Sequence, residues 1–264
     1  MIDDGSSDNT KELIDTFIKK QKIPIKYIFK ENGGLYTGYN AAYAHITTEL
    51  NVCIDSDDYM PDDAVEVILK TWEECGSDKY AGITGLDFYA GTDKPIAGYF
   101  PHGLKEAYLL DLYVKGIHRG DSKQVMRTDI MKRYAPMEGF EGEKNFNPIY
   151  MLLQACDTLP VILINRNLCY VDYQKSDGMA INIWKQYVDS PRSFAKLRLL
   201  EMSLNRSTFL NNLRCNIHYV ASCLIADDKD WLKNSPVKWR SILCFVPGWL
   251  LARYVLWKNI RSKK

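Results

Sequence analysis

The amino-acid sequence predicts an α/β fold with a helical C-terminal extension. In the first 75 residues, three short apolar runs (residues 1–2, 25–29 and 52–54) are each followed by a segment whose apolar residues recur at helical spacing. This alternation is typical of a parallel sheet with right-handed crossovers. Later segments are less regular, and from Pro191 the periodicity is helical. We therefore expect an α/β domain at residues 1–180 and a helical region at residues 181–264.

Composition narrows the class of protein. The chain has 264 residues, of which 46% are hydrophobic and 25% are charged, and this suits one large globular domain with a small extension. A net charge of +1 excludes a general nucleic-acid-binding surface, so no nucleic-acid partner is expected. Seven cysteines without a C-x-x-C pair, and no signal peptide, favour reduced thiols in the cytoplasm. No stretch has the character of a transmembrane helix.

The most informative stretch is residues 51–61, where a short apolar strand runs into several carboxylates. The strand ends at Ile54, and Asp55, Asp57 and Asp58 follow at once. Open α/β sheets bind ligands at the carboxyl ends of their strands, and carboxylates crowded there repel one another unless a cation joins them. Such oxygen ligands suit Mg²⁺ or Mn²⁺, with phosphate oxygens completing the shell. The alternative is a solvated Asp-rich turn that caps the next helix.

Two further motifs precede this stretch. Residues 2–10 read Ile-Asp-Asp-Gly-Ser-Ser-Asp-Asn-Thr, a loop of turn formers and helix N-cap residues after a strand. Residues 32–34 read Asn-Gly-Gly, a turn, and residues 38–40 read Gly-Tyr-Asn within the following helix. Each motif alone is weak, but the three occur in a fixed order and spacing.

Together the three motifs resemble family 2 of the nucleotide-sugar glycosyltransferases, in particular bacterial surface-polysaccharide enzymes. The resemblance covers most of residues 1–180. It implies the glycosyltransferase A-type fold, which is a Rossmann-like mixed sheet flanked by helices, together with a divalent metal and inversion at the anomeric carbon. Family members usually open with one more βα unit, so about 30 residues are expected to be missing before Met1.

The resemblance assigns four residues to the nucleotide-sugar donor. Asp3 or Asp4 would face the base, and because a carboxylate can accept the imide N–H of uracil, a UDP-sugar is the expected donor. Asp55 is also expected at the donor, and Asn40 would lie near the diphosphate. Tyr39 stands where many members have arginine, which removes a cation from that contact. The alternatives are a helix N-cap for one aspartate of the first pair, and helix packing for Asn40.

The resemblance also implies the metal ligands and the catalytic base. Asp57, helped by Asp55 or Asp58, would hold Mn²⁺ or Mg²⁺ on the diphosphate. An acidic loop at residues 136–144 matches the segment that carries the base, and Glu143 is the first choice there. Lys144 replaces the second carboxylate of the family motif, which makes Glu143 the choice and leaves Glu141 as the reserve. A solvated acidic loop is the alternative.

Four predictions concern the rest of the chain. Residues 80–89 are predicted to form a strand, and residues 161–165 and 168–173 a hairpin whose turn is Arg166-Asn167. A polar loop at residues 174–179 resembles the family loop that closes over donor and acceptor, although a plain surface loop fits equally well. Residues 237–264 are dense in aromatic and basic residues, which is typical of a segment at the membrane interface. A helix docked on the catalytic domain is the alternative for this tail.

The function expected from these features is a metal-dependent inverting glycosyltransferase. It would move a sugar from a nucleotide-diphospho-sugar to a glycan or lipid-linked acceptor in cell-surface polysaccharide synthesis, in the cytoplasm at the inner face of the plasma membrane. Two alternatives stay open. One is a non-catalytic fragment or pseudoenzyme with the same fold, and the other is a nucleotidyltransferase, which shares the metal-and-phosphate chemistry but releases pyrophosphate.

Overall fold

A computed structural model describes residues 1–172 and 183–262 of the chain. Its strands are β1 (Ile2–Asp3), β2 (Ile28–Phe29), β3 (Leu50–Val52), β4 (Gly82–Tyr89), β5 (Glu106–Ala107), β6 (Ser122–Arg127) and β7 (Val161–Val171). β1 and β2 form a two-stranded parallel sheet, and the other strands form a mixed sheet in the order β3-β6-β4-β7-β5. β6 is antiparallel to both of its neighbours, whereas β4 and β7 are parallel. The predicted mixed sheet and the predicted strand at residues 80–89 are confirmed.

Helices flank these sheets and make up the C-terminal region. The first six are α1 (Thr10–Lys20), α2 (Leu35–Tyr43), α3 (Ala64–Cys75), α4 (Leu109–Val114), α5 (Thr128–Met131) and α6 (Ile149–Ala155). The last six are α7 (Ile183–Asp189), α8 (Pro191–Ser203), α9 (Phe209–Ile225), α10 (Trp231–Asn234), α11 (Lys238–Leu243) and α12 (Phe245–Arg261). The α/β class with a helical C-terminal extension is therefore as predicted.

Hydrophobic clusters cover both faces of the five-stranded sheet. Successive strand residues point to opposite sides, so neighbours in one strand belong to different clusters. Val125 of β6 packs in a cluster with Ala64 and Ile68 of α3. Its neighbour Met126 packs on the other face, in the largest hydrophobic cluster, which α4, α6 and α8 also supply. A sheet buried on both faces leaves its strand ends as the natural place for a polar site.

The predicted hairpin at residues 161–173 is wrong, because β7 is one continuous strand. Thr84 of β4 pairs with Leu163, but Leu86 pairs with Asn167, so β7 carries two extra residues between these pairs. Arg166 lies in this bulge and donates to Asp63 at the start of α3, over 2.6 Å from Nη2 to Oδ2. The polar pair that suggested a turn instead forms an irregularity in a long strand, as β-bulges do.

The C-terminal helices pack on one another and on the sheet domain. α8 and α12 both pack on α9, around a cluster that includes Tyr219 and Val220. Leu197 of α8 and Leu204, which directly follows this helix, belong to the main cluster under the sheet. A division of the chain near residue 180 stays a prediction, and the polar loop at residues 174–179 lies outside the described residues. Among the described helices, none combines the length and apolar character needed to cross a bilayer.

Candidate active site

A cavity of about 640 Å³ lies at the carboxyl ends of β3 and β4. Asp55 and Asp58 reach it from the turn that follows β3, Asp87 from the end of β4, and Lys123 from the start of β6. Because β6 runs antiparallel between β3 and β4, its start lies beside their ends. The sheet order thus brings together charged side chains that are far apart in the sequence.

The turn after β3 separates the three neighbouring aspartates. The amide of Asp58 donates to the carbonyl of Asp55 over 3.1 Å, and this closes the turn. Asp57 lies at the exposed tip and is not among the cavity-lining residues. The side chain of Asp58 points inward and is only 6% exposed. The structure therefore directs Asp55 and Asp58 toward the cavity and leaves Asp57 on its outer edge.

Backbone pairing holds this turn against β7. Tyr59 and Tyr170 exchange two backbone hydrogen bonds of 3.1 and 2.7 Å, and their rings stack with centroids 5.0 Å apart. Next to this bridge, the amide of Asp172 lies 3.4 Å from Oδ1 of Asp58. These contacts fix the carboxylate of Asp58 at the edge of the sheet.

The carboxylates inside the cavity lie in an unfavourable electrostatic environment. Burial raises the pKa of Asp58, although Lys123, whose Nζ is 3.9 Å from Asp58 Oδ2, acts in the opposite direction. Asp87 is only 3% exposed, and burial raises its pKa to about 7 despite the same lysine. Its Oδ1 is buried and, within the described part of the chain, accepts no hydrogen bond. Burial without hydrogen-bond donors disfavours the charged form of a carboxylate, so ionised Asp87 is costly for the fold.

The donor chemistry of this edge fits a hard divalent cation only in part. Carboxylate oxygens are the ligands that Mg²⁺ and Mn²⁺ prefer, and Asp55 and Asp58 share the cavity. Within residues 1–172 and 183–262, however, no three acidic, histidine or cysteine side chains are close enough to hold an ion. A metal here would need further oxygen ligands, which the diphosphate of a bound nucleotide would supply.

The predicted nucleotide residue Asp4 organises a loop. Its Oδ1 accepts from the amide of Gly33 over 3.0 Å and from the Lys30 ammonium, and its Oδ2 accepts from the amide of Gly34 over 2.8 Å. Burial alone would raise the pKa of Asp4, but these donors outweigh it and the pKa is lowered. Asp4 thus holds the Gly33-Gly34 turn in place.

Asp3 is equally engaged. Its Oδ2 accepts from the Tyr27 hydroxyl over 2.5 Å, and its Oδ1 accepts from the amide of Ser6 over 2.7 Å. These hydrogen bonds, led by that of Tyr27, lower the pKa of Asp3. A contact of either aspartate with the nucleotide base stays a prediction.

α2 joins the Gly33-Gly34 turn to the acidic loop at residues 136–144. Asn40 donates to the carbonyl of Met137 over 2.9 Å and accepts from its amide over 2.7 Å. Both polar atoms of the Asn40 side chain are therefore hydrogen-bonded to the acidic loop. Gly34 has φ +92°, and a Cβ there would lie 2.0 Å from the carbonyl oxygen of Lys144. Only glycine can fill this close approach. On the same helix, Tyr39 faces the cavity.

The acidic loop itself is anchored by Glu143. Its Oε1 accepts from the amide and Nε of Arg192, both over 3.0 Å, and its Oε2 accepts from the amide of Ser193 over 2.7 Å. These donors form the first turn of α8, so Glu143 satisfies amides that have no partner within the helix. Glu141 is exposed and offers its carbonyl to Arg192. Among the described residues, neither glutamate lines the cavity. Their role as catalytic base stays a prediction.

Sequence reasoning missed Asp87 and Lys123 as site residues. A signal existed for Asp87, because it is the one acidic residue in a strand, Gly82–Tyr89, that is otherwise apolar or small. The sequence does not say whether such a residue faces solvent or a cavity. Lys123 lies between β3 and β4 only because of the sheet order. A prediction of consecutive parallel strands does not reveal that order.

Comparison with known proteins identifies the class of protein. Residues 1–134, half of the chain, match the glycosyl transferase family 2 profile. The S. aureus TarS 1–349 crystal structure has a similar fold, with a TM-score of 0.57 and 14% identity over 94% of this chain and 70% of TarS. TarS 1–349 in complex with UDP-GlcNAc gives the same TM-score with 13% identity, over 94% of this chain and 71% of that one.

One curated relative is also similar in sequence. The "Uncharacterized glycosyltransferase alr2836" of Nostoc sp. is 31% identical over 96 residues, which are 36% of this chain. The match spans 29% of that relative, so this chain corresponds to less than a third of it. The mixed sheet with flanking helices is thus a glycosyltransferase A-type fold. The chain belongs to glycosyl transferase family 2.

Proposed function

We propose that the chain transfers a sugar from a UDP-sugar to a hydroxyl group of a glycan or lipid-linked acceptor, with inversion at the anomeric carbon. The observation that carries this proposal is the cavity at the sheet edge, where Asp55, Asp58, Asp87 and Lys123 meet in a family 2 chain. Support for the nucleotide comes from the TarS structures of the same fold, which were solved with UDP and with UDP-GlcNAc.

Asp55 and Asp58 would hold Mn²⁺ or Mg²⁺ together with the diphosphate. Asp57 would contact the same ion from the exposed tip of the turn. When bound, such an ion neutralises charge on the leaving diphosphate. Lys123 adds a permanent positive charge at the same edge, since the nearby carboxylates outweigh its own burial and raise its pKa. The lysine can attract the diphosphate. Before the donor binds, its charge reduces the repulsion between the neighbouring carboxylates.

The Asp4 loop would form part of the donor pocket through its backbone. Asp4 holds the Gly33-Gly34 turn, and α2 continues from that turn to Tyr39 at the cavity. A fixed turn of this kind reduces the ordering cost of binding. A direct contact of Asp3 or Asp4 with uracil would require one of their existing hydrogen bonds to be exchanged.

Calorimetric titration of UDP, with and without Mn²⁺, tests the donor site. We expect Asp57→Ala to lose the Mn²⁺-dependent part of UDP binding without loss of folding, because the residue is exposed and only its metal contact would be removed. Asp62→Ala is the matched control, since Asp62 is also an exposed aspartate a few residues along the chain. Unchanged metal-dependent affinity in Asp57→Ala would contradict the metal assignment.

The products separate this function from its rivals. In a screen of UDP-sugars with the intact chain and glycan or lipid-linked acceptors, sugar transfer should release UDP. Release of pyrophosphate from UTP and a sugar 1-phosphate, offered in a parallel reaction, would instead indicate a nucleotidyltransferase. Binding of UDP without turnover of any donor would favour a pseudoenzyme.

The C-terminal helix α12 has one buried and one exposed face, and the exposed face suggests the location at which the acceptor binds. Gly248, Ala252, Val255 and Asn259 form the buried face of α12 toward α9, and a Cβ on Gly248 would lie 2.7 Å from Val220. The opposite face is exposed and apolar. Together with α11 it presents Trp239, Ile242, Leu243, Val246, Trp249, Leu250, Tyr254, Trp257 and Ile260. The helix is therefore docked and also leaves an aromatic surface uncovered.

We propose that this surface rests on an anionic membrane at the inner face of the plasma membrane, within a cell-surface polysaccharide pathway. Arg261 lies 4.2 Å from the ring centroid of Trp257, and Lys258 approaches both Trp257 and Tyr254. Aromatic rings with basic residues beside them suit the headgroup region of anionic lipids.

Flotation with vesicles that contain anionic lipid tests the membrane contact. Leu250→Glu with Trp257→Glu should release the chain from the vesicles, because both residues lie on the exposed face of α12. Leu13→Glu with Phe17→Glu is the control, since it changes an equally exposed apolar pair on α1. Equal flotation of the α12 variant and the unmodified chain would contradict the proposal.

A further inference from the structure

We propose that Asp87 accepts the proton of the acceptor hydroxyl group. The inference rests on the proposed glycosyl transfer and adds a catalytic residue to it. Asp87 was not among the residues that the sequence motifs pointed to, and it lies on β4, away from the acidic loop.

The first support is that Asp87 is buried with a nearby charge, Lys123, but without a full set of hydrogen-bond partners among the described residues. It lies between the buried residues Leu86 and Phe88, it is 3% exposed, and its Oδ1 accepts no hydrogen bond from the residues that the structure describes. Buried polar atoms are nearly always paired, and an unpaired carboxylate oxygen calls for an explanation. An acceptor hydroxyl group that enters the cavity would supply a donor to this carboxylate.

The second support is its location beside the donor groups. Asp87 shares the cavity with Asp55 and Asp58, which are proposed to hold the metal and diphosphate. The charged groups that act most strongly on Asp87 are Lys123 and Asp121 from β6 and the loop before it, and Asp58 and Asp55 from the turn after β3, and the Tyr113 hydroxyl of α4 also interacts with it. Cys169 of β7 is its neighbour in strand register. An acceptor bound over Asp87 would thus lie next to the donor.

The third support is that the glutamates of the acidic loop, which was predicted to carry the base, are used otherwise or lie elsewhere, and that Glu201, which also lines the cavity, is paired with Arg198. The two oxygens of Glu143 accept three hydrogen bonds from Arg192 and Ser193, and only 4% of its side chain is exposed. Glu138 and Glu141 are exposed. In the described part of the chain, none of these three glutamates lines the cavity. A proton acceptor must lie within hydrogen-bond reach of the proton that it takes.

The step is a single displacement. The O–H bond of the acceptor breaks as its proton passes to the carboxylate of Asp87, and the acceptor oxygen forms a bond to the anomeric carbon. The bond from that carbon to the diphosphate breaks on the opposite face, and its electron pair leaves with UDP. Asp87 then returns its proton to water. Burial, which raises the pKa of Asp87 to about 7, suits a base that works near neutral pH.

The test compares Asp87→Asn with the intact chain in single-turnover transfer from the UDP-sugar found in the donor screen. We expect the transfer rate to fall about 100-fold or more, the range of a general base. The Kd for UDP with Mn²⁺ should change less than about twofold, and the melting temperature should not fall. Asp93→Asn, a change at an exposed position shortly after β4, should retain the rate.

A purely structural role for Asp87 predicts a different pattern. Asp87→Asn would then lower the melting temperature, and the transfer rate of the folded fraction would stay within about tenfold of the intact chain. That result would overturn the inference.

Chemical rescue provides a second measurement. Formate, a small carboxylate, should raise the transfer rate of Asp87→Ala at least about tenfold, because it can occupy the vacated space and take the proton. It should not raise the rate of Glu143→Ala. Rescue of the glutamate variant alone would return the role to Glu143.

Failure of the inference and failure of the proposed function are distinguishable. If the intact chain turns over no nucleotide-sugar, the proposed function fails and the role of Asp87 falls with it. If the intact chain transfers sugar and Asp87→Asn does so at a similar rate, only the role of Asp87 is overturned.

Discussion

The N-terminal loop and the cavity at the sheet edge treat their carboxylates in opposite ways. In the loop, Asp3 and Asp4 are surrounded by donors, and both have a lowered pKa. In the cavity, Asp58 and Asp87 are buried with few donors, and both have a raised pKa. The same side chain therefore stabilises the fold in one region and strains it in the other.

This difference separates carboxylates that stabilise the fold from carboxylates that are able to bind a ligand. A carboxylate whose oxygens are occupied by backbone amides has little capacity left for a ligand, whereas one that is buried without donors is ready to receive one. Perturbed carboxylates cluster at functional sites for this reason. By this criterion we propose that the cavity is the chemical centre and that the N-terminal motif and Glu143 support its structure.

The largest expected effect is on the pH dependence of stability in Asp87→Asn. The folded-state pKa of Asp87 is about 7 and the ordinary value is 3.8, so from pH 4 to pH 7 the folded chain keeps a proton that the unfolded chain has lost. Asp87 therefore lowers the free energy of unfolding as pH rises through this window, by roughly 4 kcal/mol at most.

We expect Asp87→Asn to match the original chain near pH 4 and to be more stable at pH 8. Urea denaturation from pH 4 to pH 8 at constant ionic strength measures this difference. Parallel stability curves for the two chains would show that Asp87 has no raised pKa, and the contrast between the two regions would then be broken.

The second expected effect is a loss of stability in Asp4→Asn. The substituted amide could accept from one of the two glycine amides but would turn a donor toward Lys30 or the other glycine, so we expect a loss of about 2 kcal/mol near neutral pH. Because the folded-state pKa of Asp4 is lowered, its contribution is present above about pH 4 and is lost as pH falls below this value.

The sign of this pH dependence is opposite to that of Asp87, which makes the pair a direct test of the comparison. The same denaturation series serves for both, and the difference between Asp4→Asn and the original chain should shrink at low pH. Glu31→Gln is the control, since it changes an exposed carboxylate next to the Gly33-Gly34 turn. A difference that grew on acidification would contradict the proposed role of Asp4.

The sequence predicted the α/β architecture because helical and strand spacing depend on near neighbours. It also predicted that Asp55 and Asp58 follow a strand, since the apolar run before them is local. It predicted a hairpin at Arg166-Asn167 wrongly, because two polar residues between apolar runs fit a turn and a bulge equally well. Only the pairing of β7 with β4 distinguishes them.

The rest of the site depends on residues that are distant in the sequence. Asp87 and Lys123 become site residues only because the sheet order places β6 between β3 and β4. Glu143 is held by Arg192 and Ser193, which follow it by 49 and 50 residues. A motif shows that a carboxylate is present, but the number of donors around it is a property of the fold.

The smallest expected effect, and the one that separates the two regions most sharply, is that of Glu143→Gln. Glutamine keeps the size of the side chain, but its amide nitrogen cannot accept from the start of α8, so at least one backbone amide or Arg192 loses its partner. We expect a loss of about 1–2 kcal/mol in the free energy of unfolding. Transfer by the folded protein should stay within about threefold of the original rate, because charge removed from a helix-capping position does not alter the cavity. Urea denaturation and single-turnover transfer, with Glu141→Gln as the exposed control, measure both quantities on the same samples. A rate about 100-fold lower with unchanged stability would make Glu143 the base after all, and would mean that a carboxylate with every oxygen occupied can still do the chemistry.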